Sequence, residues 1–333
     1  MGGPAENDRR PELIQMTTDA NKMSKSTPAE PRRTKMSLSL SMYPAPSRTQ
    51  FLRTASAPEG VQLLNDEDLD QVLSFLGRHP IQTVGMVGLI HDNGLQSPLN
   101  RGAFYGCRNY LGQLEGVALI GHATLMETDS DRALKAFAQT AQTCTSAHLI
   151  MCKEDRIDKF WGYYAEVGQE MRRACRELLF ELRWPIEFPG EVPKLRLATV
   201  DDLDLLIPVH AELALEESGI DPRNHDAQGF ANRYARRIAQ GRTWVLTHDK
   251  KLIFKADVIS DTPEATYIEG VWVNPEARRR GHGRICMSQL ARMLLWRTKS
   301  LCLFVNDENE DAQRFYRQAG YHLRTVYDTI FLK

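Results

Sequence analysis

The stretch from Tyr267 to Gly283 constrains the fold of this chain more than any other. It reads as an apolar strand, a proline that ends it, a short glycine-bearing loop and then a helix. Strand alternation puts Tyr267, Glu269, Val271 and Val273 on one side, and Ile268, Gly270 and Trp272 on the other. Pro275 has no N–H to give a ladder, so pairing stops there. Gly281 and Gly283 let the backbone turn and come close to a ligand. Beyond them Ile285, Cys286, Leu290, Met293 and Leu294 recur at helical spacing. A glycine loop entering a helix presents unbonded N–H groups and the positive end of the helix dipole, which together suit phosphate oxygens. The three glycines of a dinucleotide fingerprint are missing, and no Gly-Lys-Ser/Thr makes this a P-loop. The other reading of Arg278-Arg279-Arg280 is a solvated run on a surface turn.

Composition narrows the context. A chain of 333 residues has room for about two domains. Its formal net charge of −1 argues against a general nucleic-acid binder, so the arginine run is better read as local phosphate chemistry. The six cysteines show no C-x-x-C pair and no zinc-like spacing, and most sit in apolar patterns. Buried free thiols, no metal and a reducing, cytoplasmic setting are the expectation. No apolar run is long enough for a membrane span, and the N-terminus lacks a secretory apolar core.

Residues 1–51 are rich in Ser, Thr, Pro, Met and Arg without a period, and read as a disordered leader in which Met36 is an alternative start. Residues 52–190 read as a first α+β unit. Its segments are a helix with Leu69, Val72, Leu73 and Leu76, strands at 102–107 and 116–121, a helix from Asp131, a strand at 148–152, a helix near Asp155 and a strand at 177–182. Trp184 to Pro193 reads as a linker. Residues 191–333 run through a second round that contains the opening stretch. The two rounds end alike: Phe160-Trp161 leads through Gly168 to Leu179-Phe180, and Phe315-Tyr316 leads through Gly320 to Ile330-Phe331. That points to a tandem duplication of one α+β unit, each a mixed, mostly antiparallel sheet flanked by helices. The first copy has no counterpart of the arginine–glycine loop.

The Val-x-Pro at 273–275, in phase with Arg-x-x-Gly-x-Gly at 278–283, resembles the signature of GNAT-family N-acetyltransferases. Asn309, Ala312, Phe315, Tyr316, Gly320 and Tyr321 fill every marked position of that family's closing motif. The resemblance covers about residues 194–333, which makes 191–333 the expected catalytic domain. Residues 52–190 look like the DUF4081 region found ahead of some bacterial GNAT domains, a degenerate GNAT-like twin.

The resemblance implies acetyl-CoA as co-substrate and a small-molecule amine or protein amino group as acceptor, with no nucleic acid or membrane partner. It implies that Arg278, Arg279, Arg280, Gly281, His282, Gly283 and Arg284 hold pyrophosphate. The backbone N–H groups near Trp272 and Val273 would receive the developing oxyanion. Tyr316 would be the general acid for the leaving thiolate, against a space-filling core tyrosine as the alternative. Asn309 would touch the cofactor or a water, or else cap the last helix. Glu269 is the candidate base, since a carboxylate on an apolar strand is costly unless paired or functional; a paired strand-end glutamate is the alternative. Glu216 and Glu217 would meet a cationic acceptor or form an exposed helix end. A non-catalytic acyl-CoA sensor is the competing function.

Overall fold

The computed structural model describes residues 60–187 and 194–333. The expected leader, residues 1–51 with Met36, lies outside the described residues, as do residues 188–193 of the expected linker.

The first half runs β1 (Val61–Leu63), α1 (Leu69–Leu76), α2 (Val84–Asn93), β2 (Gly102–Arg108), β3 (Leu114–Gly121), β4 (Ala123–Thr128), α3 (Asp131–Ala141), β5 (Leu149–Lys153), α4 (Glu154–Tyr164) and β6 (Met171–Leu182). The second repeats that order with β7 (Arg196–Leu197), α5 (Leu203–Ser218), α6 (Arg223–Ala239), β8 (Thr243–His248), β9 (Lys251–Asp261), β10 (Thr266–Val273), α7 (His282–Leu294), β11 (Leu301–Asn306), α8 (Glu310–Gln318) and β12 (His322–Leu332).

Among the described residues the strands form one sheet in the order β1-β2-β3-β4-β5-β12-β6-β11-β10-β9-β8-β7. The order is a palindrome of the two halves. β4 pairs parallel with β5, and β10 parallel with β11; the other neighbours are antiparallel. The final strands are exchanged. β12 pairs with β5 from Tyr327↔Lys153 to Phe331↔Leu149, and β6 pairs with β11 from Leu301↔Leu182 to Asn306↔Glu177. The two exchanged strands also pair with each other from His322↔Glu181 to Leu332↔Met171. That long pairing explains why β6 starts at Met171, well before the apolar run that marks it in the sequence.

The packing repeats as well. α3 and α4 cover one face of the first half through Leu134, Phe137, Ile157 and Phe160, and α7 and α8 cover the matching face of the second through Cys286, Leu290, Leu294 and Tyr316. On the other face α1 and α2 pack with Val72, Leu76 and Ile90, while α5 and α6 bring Leu206, Phe230 and Tyr234 over Val245 and Trp272. None of the described helices is long and apolar enough to cross a membrane. All six cysteines are free, with Cys144 and Cys175 only partly buried.

Two expectations change. Simple alternation put Glu269 and Val271 on one side, but a bulge intervenes: Glu269 pairs with Asp257 and Trp272 with Lys255, so Gly270 and Val271 together face Ala256. Gly270 takes the left-handed φ of +58° that the bulge needs. Val271 therefore joins Ile268 beneath α7, while Trp272 packs under α5 and α6. The second change is β4, which the sequence did not announce. It pairs back onto β3 (Leu119↔Leu125) across Gly121-His122, too tight a turn to interrupt the apolar pattern.

Candidate functional site

The sheet opens beside the signature stretch. β10 and β11 are paired only at Thr266↔Leu301 and Tyr267↔Cys302. From Ile268 onward β10 follows β9, while β11 follows β6 to Asn306, so two inner strand edges diverge. Asn274 N–H donates to the Ile253 carbonyl at 2.9 Å. Backbone alternation then turns the Val273 N–H to the open edge and the Trp272 N–H toward β9.

The loop after β10 makes a short 3-10 turn at Pro275–Ala277 and then two left-handed residues, Arg279 at φ +63° and Gly281 at φ +85°. Gly281 is the N-cap of α7 and supplies no side-chain acceptor, so the first N–H groups of the helix are uncapped by side chains. Arg278 folds back, its Nε donating to the Val273 carbonyl at 3.1 Å. Arg279, Arg280 and Arg284 are exposed, and His282 is half-buried. Gly283 is buried where three elements converge. A Cβ there would lie 3.1 Å from both Val273 Cγ2 and Phe315 Cε2. The spacing that brings α7 this close to the end of β10 and to α8 would have to widen by a few tenths of an ångström to take a side chain.

α8 starts at Asn309, whose Oδ1 accepts from Ala312 N–H at 2.9 Å. The cap reading is therefore correct, yet the side chain has capacity left: its Nδ2 is buried without a hydrogen-bond partner among the described residues. Tyr316 is buried on the inner face of α8, edge-on to Phe315 and Tyr321 at ring distances of 5.0 and 5.6 Å. Burial raises its phenol above the ordinary range, so it keeps its proton.

Glu269 lies on the opposite face of the sheet from Tyr316. It is 2% exposed, and neither carboxylate oxygen has a hydrogen-bond partner among the described residues. Burial pushes its pKa well above the carboxylate range; Arg237 and Lys255 pull it down, and Asp257 and Glu177 push it further up. Glu177, on the exchanged strand β6, is 1% exposed and has one oxygen without a partner. Burial raises it to about 8. The Tyr267 phenol is raised by burial and by the charges of Glu269, Glu217 and Glu177. Glu216 and Glu217 are half-buried rather than an exposed helix end. The Glu217 carbonyl accepts from Arg173 of β6 at 3.1 Å, and Arg172 donates to the Ser218 carbonyl. Sequence reasoning missed Glu177, Lys255, Asp257 and Arg237. For the first three the signal was available, since charged residues inside the apolar strands β6 and β9 are as costly as Glu269; Arg237, on α6, carried no such signal.

The matching junction of the first half, from β4 into α3, is built differently. Ser130 caps α3 through its Oγ, and Asp131 in the first turn pairs with Arg156 and Lys159. A capped and acidic helix start does not suit phosphate.

Residues 210–321 match the model of the acetyltransferase (GNAT) family. This stretch is a GNAT domain. The domain takes in β10, the arginine–glycine loop, α7, β11 and α8, and so contains the whole opening described above. A structure of a Drosophila protein is similar over 82% of this chain and 98% of its own, at 13% identity and a TM-score of 0.60, which shows a shared fold. An acetyltransferase of the GNAT family from Colwellia psychrerythraea aligns over 82% of this chain and 99% of its own, at 12% identity and a TM-score of 0.48. A GCN5-related N-acetyltransferase from Sphaerobacter thermophilus aligns over 81% and 94%, at 11% identity and 0.49. None of the curated proteins compared with the chain is a match.

Proposed function

We propose that the protein is an acetyl-CoA-dependent N-acetyltransferase that moves an acetyl group to a primary amine by direct attack in a ternary complex. One observation carries this reading. The uncapped start of α7 opens beside a sheet that splits between β10 and β11, with Tyr316 on one face of the split and Glu269 on the other.

The residues present fit CoA. Amides at the start of α7 and the guanidinium groups of Arg279 and Arg280 suit a diphosphate, with His282 and Arg284 beside it and Arg278 bracing the loop. Gly281 adds no side chain to that cradle, and Gly283 lets α7 pack closely against Val273 and Phe315. The diverging edges of β10 and β11 offer backbone groups to a pantetheine arm, and the buried Nδ2 of Asn309 is a donor in need of an acceptor.

Acetyl transfer requires a neutral amine, a stabilised oxyanion and a protonated leaving thiolate. Glu269 takes the proton of an ammonium acceptor through its ionised form; burial strengthens that form as a base and, by the same shift, shrinks the fraction that is ionised. The N–C bond forms as the C–S bond breaks, with the Val273 N–H facing the oxygen that gains charge. Tyr316 gives its proton to the departing sulfur, the surplus proton left on the acylated nitrogen passes through solvent to the Tyr316 phenolate, and Glu269 returns its proton to solvent.

A screen of amine acceptors, read as CoA release from acetyl-CoA, tests the reading. Turnover with at least one amine class is expected. Tight CoA binding with no release across small amines, amino acids and lysine peptides would leave a sensor in its place.

A further inference from the structure

A cavity of about 170 Å³ lies away from the start of α7, where the two halves meet. The first half contributes α2, the turn before β2 and the β3–β4 junction; the second contributes α6 and the end of β9. Among the described residues, the charged groups lining it are Arg101, Arg233, Arg236, Arg237, Arg242 and the single carboxylate Asp92.

That carboxylate is already engaged. Asp92 accepts from both terminal nitrogens of Arg242 at 2.5 and 2.6 Å, a bidentate pair that ties the halves together. Arg237 has Asp257 at 3.7 Å, but Lys255 holds the same oxygen at 2.7 Å. Arg233 reaches Asp226 through Nη1 at 3.2 Å, while its Nε and Nη2 are buried without a partner among the described residues. Arg236 stands exposed at the rim. His122 beside them adds no charge, since burial and then Arg101, His148 and Arg233 hold its pKa far below the usual value.

Arg233, Arg236 and Arg237 recur on one face of α6, with Gln240 at its C-cap; Arg233 and Arg237 are turned into the crevice, while Arg236 and Gln240 stand exposed at its rim. Arg101 is aimed there from a left-handed backbone, φ +56°, that is unfavourable for a non-glycine residue. Its carbonyl is held by the His122 N–H at 2.8 Å. Guanidinium groups gathered in a crevice repel one another and lose hydration unless an anion joins them. Basic residues at the end of α6 also complement its dipole, but that effect extends only over the last turn and reaches neither Arg101 nor Arg233.

We propose that this cavity is a binding site for a small oxyanion ligand, a polycarboxylate or a phosphate, clamped between the halves by Arg233, Arg236 and Arg101. The site stands apart from the acetyl-transfer reading and survives its failure. The shared chemistry is a set of oxygens that accept paired guanidinium hydrogen bonds, and the volume admits a molecule the size of phosphate or citrate rather than a nucleotide.

The full-length protein is titrated with citrate and, separately, with inorganic phosphate. Both titrations are followed by calorimetry and thermal shift against chloride at matched ionic strength. Saturable binding in at least one arm is expected; citrate alone assigns a polycarboxylate and phosphate alone a phosphoryl group. Arg233→Gln should weaken that binding roughly tenfold or more, as loss of charge-assisted hydrogen bonds does. Arg236→Gln, at an exposed position where folding is not at stake, should weaken it in the same direction. CoA affinity should be unchanged in both variants. Gly281→Glu should leave the oxyanion response intact, which separates this site from the start of α7. No saturable response in either arm, or wild-type affinity in both arginine variants, overturns the proposal.

Discussion

Lys255 Nζ lies 2.7 Å from Asp257 Oδ2 and 2.9 Å from the Gly270 carbonyl, with both side chains wholly buried. The ammonium group thus pins the bulge of β10 to β9, with its hydrogen bonds going to Asp257 and Gly270 and only its field reaching Glu269. A Cβ at position 270 would stand 2.8 Å from that nitrogen and 2.9 Å from the carboxylate, on a backbone at φ +58°. Gly270→Ala should therefore destabilise the protein by about 2–4 kcal/mol, from left-handed strain and a disturbed buried pair. The check is the midpoint of urea unfolding; a variant that unfolds with the wild type would mean the pair does not brace the bulge.

Glu177 gives a pH dependence whose sign can be worked out. Its folded pKa is about 8 against an ordinary value of 4.5. Below 4.5 the group is protonated in both states and costs nothing. Between 4.5 and 8 the unfolded chain is ionised while the folded one holds its proton, so stability falls by about 1.4 kcal/mol per pH unit from this group. Glu177→Gln should remove that slope. The variant should match the wild type near pH 4.5 and exceed it increasingly toward pH 8 in denaturant titrations. Parallel stability curves would show that Glu177 is hydrated or paired in the folded protein.

Tyr316→Phe removes one oxygen and keeps the ring against Phe315 and Tyr321. A general acid is worth roughly 10²–10⁴ in rate. Turnover should fall by that factor while CoA affinity and melting temperature stay near wild type, because the core volume is conserved. Unchanged turnover would assign Tyr316 to packing alone.

Gly281→Glu places a carboxylate at the N-cap of α7. For the helix itself a negative charge there is favourable and offsets part of the cost of a side chain at φ +85°. For a diphosphate the same charge is repulsive. The variant should fold, by circular dichroism, and lose measurable CoA binding in calorimetry. Retained affinity would place the diphosphate elsewhere.

What could be read from the sequence followed the range of each interaction. The strand, Pro275, the Gly281–Gly283 loop and α7 are local, and so is the Asn309-to-Tyr321 pattern that positions Tyr316; neighbours in sequence dictate them. The orientation of Val271 was not readable, because one bulge residue inverts every later side chain and the pin that stabilises it comes from Lys255 on another strand. The charge group around Glu269 combines β9, β10, α6 and the exchanged strand β6, which only the folded sheet brings together. β4 was hidden because Gly121-His122 turns the chain without breaking the apolar run.

The strand exchange was the least readable feature, since β6 could complete its own half or the other with the same alternation. Its consequence is testable on separated halves. β12 lies between β5 and β6, paired to both, and β6 lies between β12 and β11. Residues 1–190 alone would therefore leave β5 with a bare edge and β6 without both of its neighbours. Bare edges promote pairing with other chains. Co-expressed as two chains, 1–190 and 191–333 should co-elute as a single complex in size exclusion, held by the reciprocal strands. Expressed alone, 1–190 should aggregate or self-associate. A soluble monomer of 1–190 that unfolds cooperatively would show that β6 can fold back beside β5, and that the exchange is one of two accessible pairings rather than the one the chain requires.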